Sequence, residues 1–114
     1  MLAEMMRLIG FDVFISPGGL RAVDLIDEKR PVVVLLDQMM PEISGLQIIQ
    51  LLRANPRLCT IPVIMISAKV LPADMRRGLD AGASFYLAKP VAFVDLRRTV
   101  EQVISSTEQD TGSL

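Results

Sequence analysis

The chain has 114 residues, of which 51% are hydrophobic and 4% aromatic, and its formal net charge is −1. This length predicts one domain with an aliphatic core. No apolar run approaches the roughly 18 residues that a membrane-spanning helix needs, and no basic cluster indicates nucleic-acid binding. The absence of histidine excludes His-based chemistry, and a single cysteine, Cys59, excludes an internal disulfide. We therefore expect a cytoplasmic domain that binds neither membrane nor nucleic acid directly.

The first thirty residues predict a helix, a strand and a second helix. Residues 1–9 have the pattern of an amphipathic helix that ends at Gly10. Residues 11–16 are rich in Phe, Val and Ile and are interpreted as a strand. Apolar residues at helical spacing over 20–30 predict the second helix, which ends at Pro31.

Residues 32–36 form a continuous aliphatic run, which predicts a buried parallel strand because both of its faces must be covered. Residues 61–66 predict a second buried strand. The pattern further predicts a short strand over 84–87 and helices over 45–54, 72–81 and 93–104. The alternation of strands and helices indicates an α/β fold, a doubly wound parallel sheet of four strands. Residues 105–114 are small and polar, and we interpret them as a flexible tail after a domain of residues 1–104.

Polar side chains follow the predicted strands. Ser16, Asp37, Ser67 and Lys89 stand at or just past the four strand ends. In a parallel sheet these ends meet at one rim, where functional groups gather. A carboxylate, a hydroxyl and an ammonium group together suit a phosphoryl group, with Asp37 as the nucleophile and the other two binding the new oxygens.

These residues stand in stretches that resemble the receiver domains of bacterial two-component response regulators, which have a flavodoxin-like fold. The spacing of 30 residues from Asp37 to Ser67 and of 22 from Ser67 to Lys89 is similar to the spacing in that family. The resemblance covers residues 1–104, and the matching stretches are LLDQMMP at 35–41 with Gly45, IPVIMISA at 61–68, AGA at 81–83 and YLAKP at 86–90.

The resemblance implies roles for Asp37, Ser67 and Lys89, and also for Tyr86 and Met39. Asp37 would accept a phosphoryl group from a histidine kinase or a phosphotransfer protein. Lys89 would pair with the phosphoryl oxygens, and Ser67 would move inward to hydrogen-bond them. Tyr86 would be the switch aromatic whose rotamer reports this movement to a downstream protein partner. Asp37 and the backbone carbonyl of Met39 would bind Mg²⁺.

The resemblance also implies a cis peptide between Lys89 and Pro90, which proline makes accessible. The sequence departs from the family at its start, where a first strand normally ends in two acidic residues. Counting back from Asp37 by the family's spacing passes Met1, so that strand and the acidic pair are missing. Because Mg²⁺ binds through carboxylates, waters and phosphate oxygens, we expect weak metal binding.

The sequence leaves three classes of function open. The intact set of Asp37, Ser67 and Lys89 favours a phospho-accepting switch. The missing acidic pair favours a degenerate receiver, a binding or dimerisation module that works without phosphorylation. A small α/β enzyme is disfavoured, because no catalytic base or cofactor fingerprint accompanies Asp37.

The missing first strand leads to an expectation about assembly. It would leave the apolar strand 32–36 with an unpaired edge, which native proteins rarely tolerate. The edge can pair with residues 11–16, accept a strand from another chain or be buried against a partner. We predict a homodimer or larger assembly, with contacts at or near Met5, Leu8, Phe11 and Phe14.

Overall fold

The computed structural model describes residues 2–16, 19–38 and 43–112. These residues form three strands in one parallel sheet of order β1-β2-β3. The elements are α1 Leu2–Ile9, α2 Gly19–Lys29, β1 Val34–Asp37, α3 Gly45–Ala54, β2 Val63–Ser67, α4 Pro72–Ala81, β3 Phe85–Ala88 and α5 Phe93–Gly112. None of the described helices is both long enough and apolar enough to cross a membrane.

The central strand β2 is buried along its whole length. Its side chains alternate between two hydrophobic clusters, as the period of a strand requires. Val63 and Met65 lie in a cluster with α2 and α3, while Ile64 and Ile66 lie in a cluster with α1 and α5. Helices therefore cover both faces of the sheet, which confirms the predicted doubly wound α/β architecture.

The prediction of a strand over residues 11–16 is wrong. The sheet of the described residues has three strands, whereas the sequence predicted four. Residues 11–16 form no backbone ladder with β1. Phe11 and Val13 instead pack against the core cluster of α1 and α5, whereas the side chains of Phe14 and Ile15 are exposed. A strand requires a neighbour for its backbone groups, and this segment is held to the core through the side chains of Phe11 and Val13.

The last helix, α5, is longer than predicted. It continues through Gly112 and does not end at residue 104. Residues 105–111 contain no proline or glycine that would interrupt a helix. The division of the chain into a domain of residues 1–104 and a tail of residues 105–114 stays a prediction.

Arg53 joins three segments at the C-terminal end of α3. Its guanidinium donates twice to the carbonyl of Gly82, at 3.0 and 2.7 Å, and once each to the carbonyls of Cys59 and Ile61, at 3.0 and 2.7 Å. Burial, partly offset by the neighbouring Cys59, lowers the pKa of Arg53 from its ordinary value. The guanidinium thus ties the end of α3 to the approach of β2 and to the C-cap of α4.

Candidate phosphoryl-acceptor site

The backbone ladder fixes the relative positions of the residues at the rim. Asp37 ends β1 opposite Ile66, and Ser67 ends β2 opposite Ala88. The amide of Lys89 donates to the carbonyl of Ser67 at 2.9 Å, which extends the ladder one step beyond β3. Asp37, Ser67 and Lys89 therefore meet at the carboxyl edge of the sheet, as their places in the sequence predicted.

Asp37 and Lys89 form an ion pair at this edge. The Nζ atom of Lys89 lies 2.5 Å from Oδ2 of Asp37, and the two side chains are 40% and 36% exposed. The peptide between Lys89 and Pro90 is cis, as the family resemblance implied. An ion pair this open to solvent contributes on the order of 0–1 kcal/mol, so its main effect is to hold an ammonium group beside the carboxylate.

Gly45, the first residue of α3, packs against the end of β1. Its amide donates to the carbonyl of Gln38 at 3.2 Å. A Cβ atom at this position would lie 2.9 Å from the carbonyl oxygen of Asp37 and 3.0 Å from Cα of Gln38. Only glycine allows the helix to approach this closely, and the approach supports the backbone that carries Asp37.

A capping box starts α3 beside the rim. The amide of Gln47 donates to Oγ of Ser44 at 3.3 Å, and the amide of Ser44 donates to Oε1 of Gln47 at 2.9 Å. These reciprocal bonds satisfy two donors that the helix itself leaves without partners. The sequence analysis did not predict this capping box, although a serine followed three residues later by glutamine is its usual signature.

Ser67 and Tyr86 are linked through the backbone of Lys69. Ser67 is fully buried, and its Oγ atom accepts a hydrogen bond from the amide of Lys69 at 3.0 Å. Tyr86 is 6% exposed, and its hydroxyl donates to the carbonyl of Lys69 at 2.7 Å. The peptide groups on either side of one loop residue thus connect the two side chains that the resemblance assigns to the switch.

The described residues fit a magnesium ion only in part. Asp37 supplies one carboxylate, and no group of three or more acidic, histidine or cysteine residues stands together in the described part of the chain. Met39, whose carbonyl was expected to be the second ligand, lies outside the described residues. One carboxylate is at the lower limit of the one or two that protein Mg²⁺ sites usually supply.

The sequence matches the response regulator receiver domain over residues 1–101. The chain is 35% identical over 103 residues to the response regulator MprA of Mycobacterium sp. strain KMS. It is 37% identical over 93 residues to the DNA-binding response regulator MtrA of Mycobacterium tuberculosis. These alignments cover 90% and 78% of this chain but only 44% and 40% of the relatives, so the chain spans less than half their length.

Solved structures agree with this assignment. The fold matches a putative response regulator from Chloroflexus aurantiacus with a TM-score of 0.87 and 28% identity, covering 91% of this chain and 85% of that one. It also matches the receiver domain of a sensor histidine kinase from Pseudomonas aeruginosa, with a TM-score of 0.83, 29% identity and the same two coverages; that structure has magnesium in its active-site cleft. The chain belongs to the response regulator receiver domain family of two-component systems and has its flavodoxin-like fold.

Proposed function

We propose that Asp37 accepts a phosphoryl group from a histidine kinase or phosphotransfer protein in the cytoplasm. The modified domain then changes the surface that a downstream protein partner reads. The observation that carries this proposal is the pairing of Asp37 with Lys89 at the carboxyl edge of the sheet. A carboxylate that is 36% exposed is accessible to a donor protein, and the ammonium beside it can compensate the charge of the incoming group.

The proposed reaction is a displacement at phosphorus. A carboxylate oxygen of Asp37 forms the new bond to phosphorus, and the bond to the donor's imidazole nitrogen breaks. The electron pair of that bond stays on the imidazole, and the product is an acyl phosphate. Lys89 stays beside the modified side chain and pairs with the phosphoryl oxygens. Ser67 donates its hydroxyl proton to another of these oxygens.

Magnesium supplies charge neutralisation at such sites when it is bound. In this chain Asp37 would hold it together with the carbonyl of Met39. Because Asp37 belongs to no group of three or more acidic, histidine or cysteine residues in the described part of the chain, we propose that the unmodified domain binds Mg²⁺ weakly and that phosphoryl oxygens would supply further ligands. Weak metal binding should make phosphorylation by small donors slow rather than abolish it.

Intact-mass measurement after incubation with acetyl phosphate and Mg²⁺ tests the proposal. We expect a gain of one phosphoryl group in the wild type and none in Asp37→Asn. Asp80→Asn is the matched control, because it removes an exposed carboxylate from α4, away from the rim. Lys89→Met should lower the rate of labelling by about 100- to 1,000-fold, the effect of removing one group that stabilises developing negative charge.

The same measurement separates this proposal from the alternative of a degenerate receiver. An adduct that persists in Asp37→Asn would place the modification elsewhere and refute the assignment. A wild type that stays unmodified with acetyl phosphate and also with a phosphorylated donor protein would mean that the domain acts without phosphorylation, as a binding or dimerisation module.

A further inference from the structure

Gly78 lies in α4 directly against the ring of Tyr86. It is buried, and a Cβ atom at this position would lie 2.8 Å from Cδ2 and 2.9 Å from Cε2 of Tyr86. Carbon atoms of real side chains essentially never approach so closely, so any side chain on residue 78 competes with the ring for one space. The buried ring cannot make room by a small shift, because it has two rotatable bonds and closely packed surroundings, so it must leave its position.

Glycine at this position is unfavourable for the helix itself. Residue 78 is an interior position of α4, which runs over Pro72–Ala81, and glycine there costs about 1 kcal/mol relative to alanine. A left-handed backbone does not explain the residue either, because the glycines with positive φ among the described residues are Gly10 and Gly82. The remaining physical reason for Gly78 is the space that it leaves for Tyr86.

The position of Tyr86 in turn holds the loop after β2. Its hydroxyl donates to the carbonyl of Lys69 at 2.7 Å, while the amide of Lys69 donates to Oγ of Ser67 at 3.0 Å. The flanking loop residues Ala68 and Val70 are exposed. The Tyr86 hydrogen bond is therefore a restraint on a loop that is otherwise open to solvent, and this loop begins at the proposed hydroxyl donor.

We propose that Gly78 is a positioning residue. It provides the space in which the ring of Tyr86 lies against α4, and the hydrogen bond from Tyr86 to Lys69 then fixes the conformation of the loop that follows Ser67. This inference goes beyond the proposed function, because it concerns the unmodified domain. The test of Gly78 needs no phosphoryl transfer, so the role of Gly78 and the phosphorylation of Asp37 can be refuted separately. The expected consequence of a side chain at residue 78 is expulsion of the ring and loss of the bond to Lys69.

The chain offers a direct optical measurement, because Tyr86 is its only tyrosine and it has no tryptophan. Acrylamide quenching of tyrosine fluorescence therefore reports the exposure of this one ring. In the wild type we expect quenching well below that of the chain unfolded in urea. In Gly78→Ala we expect the quenching constant to rise at least about 2-fold toward the unfolded value, with the far-ultraviolet circular dichroism of a folded domain retained.

Two control variants separate expulsion of the ring from other effects. Arg77→Ala changes the adjacent exposed residue of α4, whose side chain is 65% exposed, and should leave the quenching unchanged. Tyr86→Phe removes only the hydroxyl. It should keep the packing against Gly78 while hydrogen exchange accelerates at the amides of Lys69 and Val70, because the loop has lost its restraint.

A double-mutant cycle covers the case in which Gly78→Ala unfolds the domain. In the Tyr86→Ala background the space is vacant, so Gly78→Ala should raise the urea midpoint, as helix propensity predicts. In the wild-type background the same substitution should lower it. The proposal is overturned if the substitution acts in the same direction in both backgrounds, or if Gly78→Ala folds with wild-type quenching.

Discussion

Replacing Arg53 by methionine would keep the aliphatic part of the side chain and remove the guanidinium. The carbonyl of Gly82 would lose two donors, and those of Cys59 and Ile61 one each. At about 1 kcal/mol for each partly buried group left without its partner, we expect Arg53→Met to lower the free energy of unfolding by about 2–4 kcal/mol. Small domains have only about 5–15 kcal/mol in total, so the variant should be markedly unstable.

Urea denaturation followed by circular dichroism measures this loss, provided that the slope of the transition stays unchanged. Arg53→Lys should lose about half as much, because an ammonium on one stem cannot reach three carbonyls in the geometry of the planar guanidinium. Arg57→Met is the matched control. Its side chain is 63% exposed and pairs with Asp27 at the surface, and its loss should stay below about 1 kcal/mol. Equal losses for Arg53→Met and Arg57→Met would refute the reasoning.

Three further predictions concern the rim and the assembly. Gly45→Ala should lower the free energy of unfolding by about 1–3 kcal/mol, because the new Cβ overpacks the end of β1; in the same samples it should slow labelling of Asp37, and unchanged stability would contradict the packing argument. Ser44→Ala should cost about 1 kcal/mol in urea denaturation through loss of the helix cap, whereas Ser44→Thr, which retains a capping hydroxyl, should cost less than half of that. Light scattering over a concentration series should show a dimer or larger species, and Leu8→Lys, at a residue 77% exposed, should shift it toward monomer; a wild type that stays monomeric at micromolar concentration would end the assembly prediction.

The sequence predicted the sheet and its rim because both depend on simple patterns. Residues 32–36 are aliphatic without interruption, which is the pattern of a strand covered on both faces. Asp37, Ser67 and Lys89 follow strands, and the carboxyl ends of parallel strands must meet. Such arguments need only the order of the elements, so they hold even where each predicted boundary is displaced by one or two residues.

Other features escaped the sequence because they depend on distant partners. Arg53 binds carbonyls that lie 6, 8 and 29 residues away, and no local pattern marks a backbone carbonyl as an acceptor for a side chain. Gly78 stands in an ordinary helical pattern, and its reason lies across the fold in Tyr86. Residues 11–16 show the opposite failure: their composition favours a strand, but strand propensity alone does not make a segment pair with the sheet.

The contact between α1 and α5 brings the two ends of the chain together through side-chain packing. Met6 lies in one hydrophobic cluster with Val100 and Val103, so this packing joins segments that more than ninety positions separate. In the described residues, the backbone hydrogen bonds of α1 and its Gly10 cap run within that segment. Opening this contact breaks no rung of the sheet. The first helix is therefore the part of the fold best suited to open by itself, as a unit of local unfolding that leaves the phosphoryl-acceptor rim in place.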